Sequence, residues 1–206
     1  MTGKERREQL LDIGRRLFAE RGLDGTSIEE IAAQAGVSKP VVYEHFGGKE
    51  GLYAVVVDRE VDRFLSMATR LLEGEDTMAK FEVAAVQLLR YIQENSDGFR
   101  ILVRDSNPTS GSGTFASLIS DIASQVEYML GDVLEGRGYD ARLAPVYAQM
   151  LVGMVASAGQ WWLDARKPKL EEMAAHLVNL AWNGLRELDP KPRLSPEATD
   201  QLRKGR

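Results

Sequence analysis

The sequence predicts an all-α protein of about nine helices, and three observations predict it. Apolar residues recur at helical spacing in nearly every segment. No stretch keeps a strand-like alternation between turn signals. Glycines stand where the periodic runs stop.

The elements follow in order. Leu10, Ile13, Gly14, Leu17 and Phe18 line one face of a first helix, which Gly22 stops as a C-terminal glycine does. Thr26 or Ser27 caps a short second helix with Ile28, Ile31, Ala32 and Ala35 on one face, and Gly36 breaks it. Ser38 is placed to cap a third helix, whose first turn tolerates Pro40 because the missing N–H has no partner there. Beyond Gly47-Gly48 a long fourth helix carries Leu52, Tyr53, Val56, Val57, Phe64, Leu65, Ala68, Leu71 and Leu72 inward. Gly74 to Thr77 reads as a turn. A fifth helix (Phe81, Ala84, Ala85, Leu88, Leu89, Ile92) and a short one around Phe99 follow. The stretch from Asp105 to Thr114, DSNPTSGSGT, is the clearest loop in the chain. A helix over about 115–135 ends at Gly136-Arg137-Gly138, and two more span roughly 141–166 and 170–188. The proline- and charge-rich remainder, 189–206, reads as a flexible C-terminal tail.

Composition narrows the function classes. The chain has no cysteine, which removes disulfides, thiolate nucleophiles and cysteine-zinc sites and suits a reducing cytoplasm. A polar N-terminus argues against a signal peptide, and no apolar run approaches the ~20 residues of a membrane span, so the expected location is cytoplasmic with no membrane partner. Only His45 and His176 are available to a histidine-based metal site or triad, and they lie in different segments. No phosphate-cradling glycine loop is present. The expectation is no enzyme, no cofactor and no metal. A net charge of −5 argues by itself against nucleic acid, so a DNA reading must rest on where charges sit.

One segment carries such a reading. Thr26 to Phe46, TSIEEIAAQAGVSKPVVYEHF, places two short amphipathic helices around the glycine-containing turn Ala35-Gly36-Val37-Ser38, the sequence form of a helix-turn-helix. In that motif the second helix packs by one face and shows the other to the major groove. Val37, Val42 and Phe46 suit the packing face, which leaves Lys39, Val41, Tyr43 and His45 outward for phosphates and base edges.

The segment VSKPVVYEHFGGKEGLY resembles the signature of the TetR family of regulators, as do Phe18-Ala-Glu-Arg-Gly22 and Gly25-Thr-Ser-Ile-Glu-Glu-Ile-Ala32 before it. The resemblance covers about residues 7–60 and implies a helix-turn-helix DNA-binding domain over 1–48 and a helical effector-binding and dimerisation domain over 49–188. It implies backbone contacts to operator DNA from Thr26 and Ser27, base-edge contacts from Lys39 and Val41, and phosphate contacts from Tyr43, His45 and Lys49. Many relatives have Gly-Thr or Gly-Ala where this chain has Pro40-Val41. Valine cannot hydrogen-bond, so an apolar contact such as a thymine methyl is expected there.

One reading helix makes few contacts, and regulators of this design dimerise so that two recognition helices meet successive major-groove faces. The expected interface lies on the last two helices: Leu151, Val155, Ala158, Leu177, Ala181, Trp182 and Leu185, with Gly153, Ala156, Ser157 and Gly159 permitting close approach. Large adaptable side chains of the middle helices, Phe81, Tyr91, Phe99, Tyr128, Met150, Met154 and Trp161, are expected to line an effector pocket, with Arg100 or Arg104 for an anionic head group. Such a lining suits an acyl chain, an acyl-CoA or a drug-like molecule. The expected function is a repressor that binds a palindromic operator as a homodimer and is released by that effector. The competing reading is a helical protein-interaction adaptor, for which Tyr43 and Lys49 would be dispensable.

Overall fold

The computed structural model describes residues 1–72, 78–104, 114–189 and 191–204, excluding the side chains of 69–72, 80, 104, 114–116, 118 and 202. Among the described residues there are ten α-helices, one 3-10 turn and no strand.

The N-terminal helices are bounded by local chemistry. Helix α1 (Gly3–Arg21) opens on a capping box, in which the Thr2 hydroxyl accepts from Glu5 N at 3.2 Å and Thr2 N donates to the Glu5 carboxylate at 2.7 Å. It closes at Gly22, whose N–H donates to Phe18 O and whose φ of 74° favours glycine. Ser27, not Thr26, caps α2 (Ile28–Ala35) by accepting from Glu30 N at 3.2 Å. Gly36 ends α2 in the left-handed region, with Val37 N donating back to Ala32 O at 3.0 Å. Helix α3 (Lys39–Phe46) carries Pro40 in its first turn and stops at Gly47. Ser38 occupies the cap position but its side chain makes no capping hydrogen bond, contrary to expectation.

The body follows: α4 (Lys49–Leu72), α5 (Met78–Glu94), α6 (Ser96–Arg104), α7 (Thr114–Gly136), a 3-10 turn (Ala141–Leu143), α8 (Ala144–Ala165) and α9 (Leu170–Arg186). The expected turn at Gly74–Thr77 lies outside the described residues, as does the expected loop at Asp105–Thr114 except for Thr114, where α7 starts. The eighth helix starts later than the sequence reading placed it. The Asp140 carboxylate accepts from Arg142 N and holds the 3-10 turn first. The tail contains a tenth helix, α10 (Pro196–Lys204), started by Pro196 in its first turn and by Ser195, whose hydroxyl accepts from Ala198 N at 3.2 Å. No described helix is long and apolar enough to cross a membrane.

Three cores hold the helices together. The first gathers α1, α2, Val42 of α3 and the start of α4, together with Ile101 of α6. The second joins α4, α5, α6, α8 and α9 around Phe64, Leu89, Phe99 and Trp162. The third joins the end of α7 to the start of α8. At the surface, Arg59 of α4 forks onto the Glu8 carboxylate of α1 at 2.7 and 2.9 Å.

Candidate nucleic-acid interface and effector cavity

Helix α3 is positioned by one buried residue. Val42 is fully enclosed in the first core, while Val37 and Phe46 pack at its edge and Arg7 lies over the Phe46 ring at 4.7 Å. That rotation turns Lys39, Pro40 and Tyr43 outward, with Tyr43 53% exposed and Val41 and His45 half-buried at the margins. The outer side of α3 is therefore open to a duplex.

The other expected DNA residues divide. Ser27 is exposed; its oxygen caps α2, and its hydroxyl retains a proton to donate. Thr26 is corrected. It is 2% exposed and its hydroxyl donates to Gly22 O at 2.8 Å, so the side chain braces the α1–α2 loop and is withdrawn from any phosphate. Lys49 is half-buried, and its ammonium donates to Leu23 O at 3.0 Å and Thr26 O at 3.1 Å. Two of its three protons thus tie the start of α4 to the same loop. Ser27, Tyr43 and Lys49, drawn from three helices, line one open groove. The sequence reading missed Glu29. It lines that groove and pairs with Lys39, and the Lys39 hydrogen bond holds the Glu29 carboxyl below the usual range. The same groove also carries Asp24 and Glu50.

Next to the second core lies a half-open cavity of about 230 Å³ bounded by α4, α5, α6, α7, α8 and α9. Every lining side chain is hydrocarbon or thioether, among them Phe64, Met67, Leu88, Ile92, Ile122 and Met129. Phe81 and Phe99, expected in an effector pocket, line this cavity. Tyr91 does not; it stands behind Phe64 at 5.5 Å between ring centres. Tyr128, Met150 and Trp161 do not line it, being 79%, 62% and 59% exposed, and Met154 is half-buried outside the lining. The Arg104 side chain lies outside the described residues. Arg100 pairs with Asp164 at the surface.

The expected dimer residues sit toward the interior of the single chain. Leu151, Val155, Leu177 and Ala181 line the cavity, Ala158 packs on the second core, and Leu185 on the third. Trp182 meets the Phe81 ring edge-on at 5.4 Å. The close approach allowed by Gly159 is to Ile92 of α5, which a Cβ would reach at 2.8 Å. What α8 and α9 leave outward are Val146, Met150, Trp161 and Leu180. The cause is that α8 is apolar on both faces, so periodicity shows a helix buried on two sides without saying which side is inner. Gly159 beside Trp162-Leu163 was the usable signal: the small residue and the two large ones share the inner face.

Among the described residues no group of three or more histidines or carboxylates is placed to hold a metal ion.

Comparison with known proteins agrees with this architecture. Residues 10–56 match the family described as bacterial regulatory proteins, tetR family, and residues 58–195 match the tetracyclin repressor-like C-terminal domain. The HTH-type transcriptional activator FasR of Mycolicibacterium smegmatis is 29% identical over 184 residues, 88% of this chain and 83% of that protein. A TetR-like transcriptional regulator from Rhodococcus sp. RHA1 superposes with a TM-score of 0.71 at 24% identity, covering 89% of this chain and 97% of that one. The regulator FadR from Bacillus subtilis, solved in complex with stearoyl-CoA, does so with a TM-score of 0.66 at 19% identity, covering 86% and 98%. A free recognition helix, an apolar chamber behind it and matches to both halves lead to one assignment: the chain is a DNA-binding transcriptional regulator of the TetR family.

Proposed function

We propose that the chain binds a palindromic operator as a homodimer in the cytoplasm, and that a small apolar or amphipathic effector entering the cavity releases it. The observation that carries the reading is the cavity itself. It is walled only by apolar side chains, and two of its walls, α4 and α6, also pack on the DNA-binding domain. A wholly apolar chamber favours a hydrocarbon segment and leaves any charged head group to the rim. The FadR neighbour holds stearoyl-CoA, which makes that compound the first probe to use.

On the DNA side, Lys39 and Val41 are assigned to base edges, and Ser27, Tyr43, His45 and Lys49 to phosphates. The outward residues of α8 and α9, Val146, Met150, Trp161 and Leu180, are assigned to the twofold interface, which spaces the recognition helices about 34–36 Å apart or a multiple of that. Effector binding then favours a dimer whose reading heads are wrongly spaced.

The direction of control has a second reading, because the FasR relative is named an activator. Repression and activation differ in where the operator lies relative to the promoter, which the fold does not encode. A duplex selected by the protein from a random pool, titrated with and without stearoyl-CoA, tests release. Unchanged DNA affinity with stearoyl-CoA bound overturns it. Tyr43→Ala is expected to abolish tight binding to that duplex, and an intact affinity would favour a protein-binding adaptor instead. Run-off transcription from the promoter nearest the selected sequence distinguishes repressor from activator.

A further inference from the structure

Helix α6 faces two cores at once. Ile101 enters the core of the DNA-binding domain, while Phe99 lines the cavity. One residue earlier, Gly98 lies against a buried charge. A Cβ at Gly98 would stand 1.8 Å from Glu60 Oε2 and 3.0 Å from Arg15 Nη2. Glu60, on α4, is 1% exposed, and its Oε1 accepts from Arg15 Nε of α1 at 2.8 Å and from Arg63 Nη1 at 2.7 Å. Its Oε2 is served less well, by Arg15 Nη2 at 3.4 Å. Oε2 is the oxygen that Gly98 touches.

An orphan donor stands nearby. The Tyr91 hydroxyl is buried without a hydrogen-bond partner among the described residues. Burial raises its pKa, and the Glu60 charge adds to the effect, so it stays protonated close enough to feel that carboxylate. Its ring packs edge-on against Phe64, a cavity residue one turn beyond Glu60, and Phe64 also meets Phe99 at 6.2 Å. A buried donor without a partner, within electrostatic reach of a poorly served acceptor, is a cost that a second arrangement would remove.

We propose that Glu60 is a two-position clamp: it ties α1 to α4 through Arg15 in this state, and when the cavity fills and Phe99 moves, Gly98 drives the carboxylate off Arg15 and onto the Tyr91 hydroxyl. Releasing Arg15 frees α1, and with it the recognition helix packed on α1. The proposal rests on the cavity being the effector site. Glu60, Gly98 and Tyr91 act through Arg15 and are positioning residues; none touches DNA or effector.

The test uses the full chain, the duplex selected from a random pool, and stearoyl-CoA. Gly98→Ala places a methyl where filling would push α6, and is expected to weaken DNA binding by about tenfold with no effector present, within the usual 5–150-fold range of coupling. Glu60→Ala removes the carboxylate that holds Arg15 and is expected by itself to weaken effector-free DNA binding about as much, with Gly98→Ala adding no further loss in the double variant. Tyr91→Phe keeps the ring and is expected to leave effector-free affinity unchanged while shrinking the stearoyl-CoA response several-fold, with stearoyl-CoA binding itself unchanged by calorimetry. Unchanged affinity in Gly98→Ala or in Glu60→Ala, a further loss when Gly98→Ala is added to Glu60→Ala, or a full response in Tyr91→Phe each overturns the clamp. If Gly98→Ala does not fold, the Tyr91→Phe comparison decides. If stearoyl-CoA does not bind the native protein, the effector assignment fails for that compound, and the Gly98 and Glu60 variants still judge the clamp.

Discussion

Truncating Leu180 to alanine tests which faces of α8 and α9 meet a partner. Leu180 of α9 is 63% exposed in the single chain, as are Met150 at 62% and Trp161 at 59% on α8. Fully burying a leucine contributes about 1.5–3 kcal/mol, so covering what remains exposed here contributes about 1–2 kcal/mol. A twofold interface uses each residue twice. Leu180→Ala is therefore expected to cost the dimer about 2–4 kcal/mol, a rise in dimer Kd of about 30- to 1000-fold. Sedimentation across a dilution series reads that constant directly, and circular dichroism confirms that the exposed substitution leaves the monomer fold intact. Leu151→Ala is the contrast: it enlarges a cavity and should lower Tm, with far less effect on dimer Kd. If Leu180→Ala dimerises as tightly as the native chain while Leu151→Ala dissociates, the assignment of faces is reversed and the reasoning fails.

Three further outcomes follow from the geometry. Ala181→Leu projects into the cavity and is expected to block stearoyl-CoA binding, measured by calorimetry, while dimer Kd stays within about threefold, since Ala181 lines the chamber and not the outer face. Lys49→Met is expected to lower Tm, because two carbonyls lose their donor, and, where its third proton serves a phosphate in each protomer of the dimer, to reduce the slope of log affinity against log salt by about 1.8; a lowered Tm with an unchanged slope would leave Lys49 a brace alone. Tyr91 has its pKa raised above the ordinary 10.0, chiefly by burial, so above pH 10 the unfolded chain loses this proton while the folded chain keeps it. The native protein should then lose stability relative to Tyr91→Phe as pH rises past 10, by up to about 1.4 kcal/mol per unit, read from urea midpoints at pH 9 to 11. Parallel curves for the two proteins would show that Tyr91 ionises freely in the fold.

The placement of apolar residues on α8 has a functional side. A helix with one apolar stripe can serve a pocket or a partner; one apolar on both faces can serve both, and α8 gives Leu151 and Val155 to the cavity while leaving Met150 and Trp161 outward. Effector and partner would then bear on opposite sides of the same rigid rod.

The sequence by itself determined the helix-turn-helix, because everything that specifies it is local. Ser27 and its N–H partner at Glu30 are three residues apart, Gly36 and Gly47 take left-handed conformations costly for other residues, and Val42 is marked inward by its spacing from Phe46. It also determined the helical body and its apolar character. Tertiary structure alone decided the rest. The rotations of α8 and α9 were hidden because both faces of α8 are apolar, and Thr26 lost its expected role when the α1–α2 loop closed over its hydroxyl. Lys49 found its carbonyls 23 and 26 residues back, and Arg15 met Glu60 across 45. Periodicity reports which way a side chain points on its own helix. Partners that far along the chain are chosen by how helices pack, and packing is settled by the sum of many weak contacts that no single motif displays.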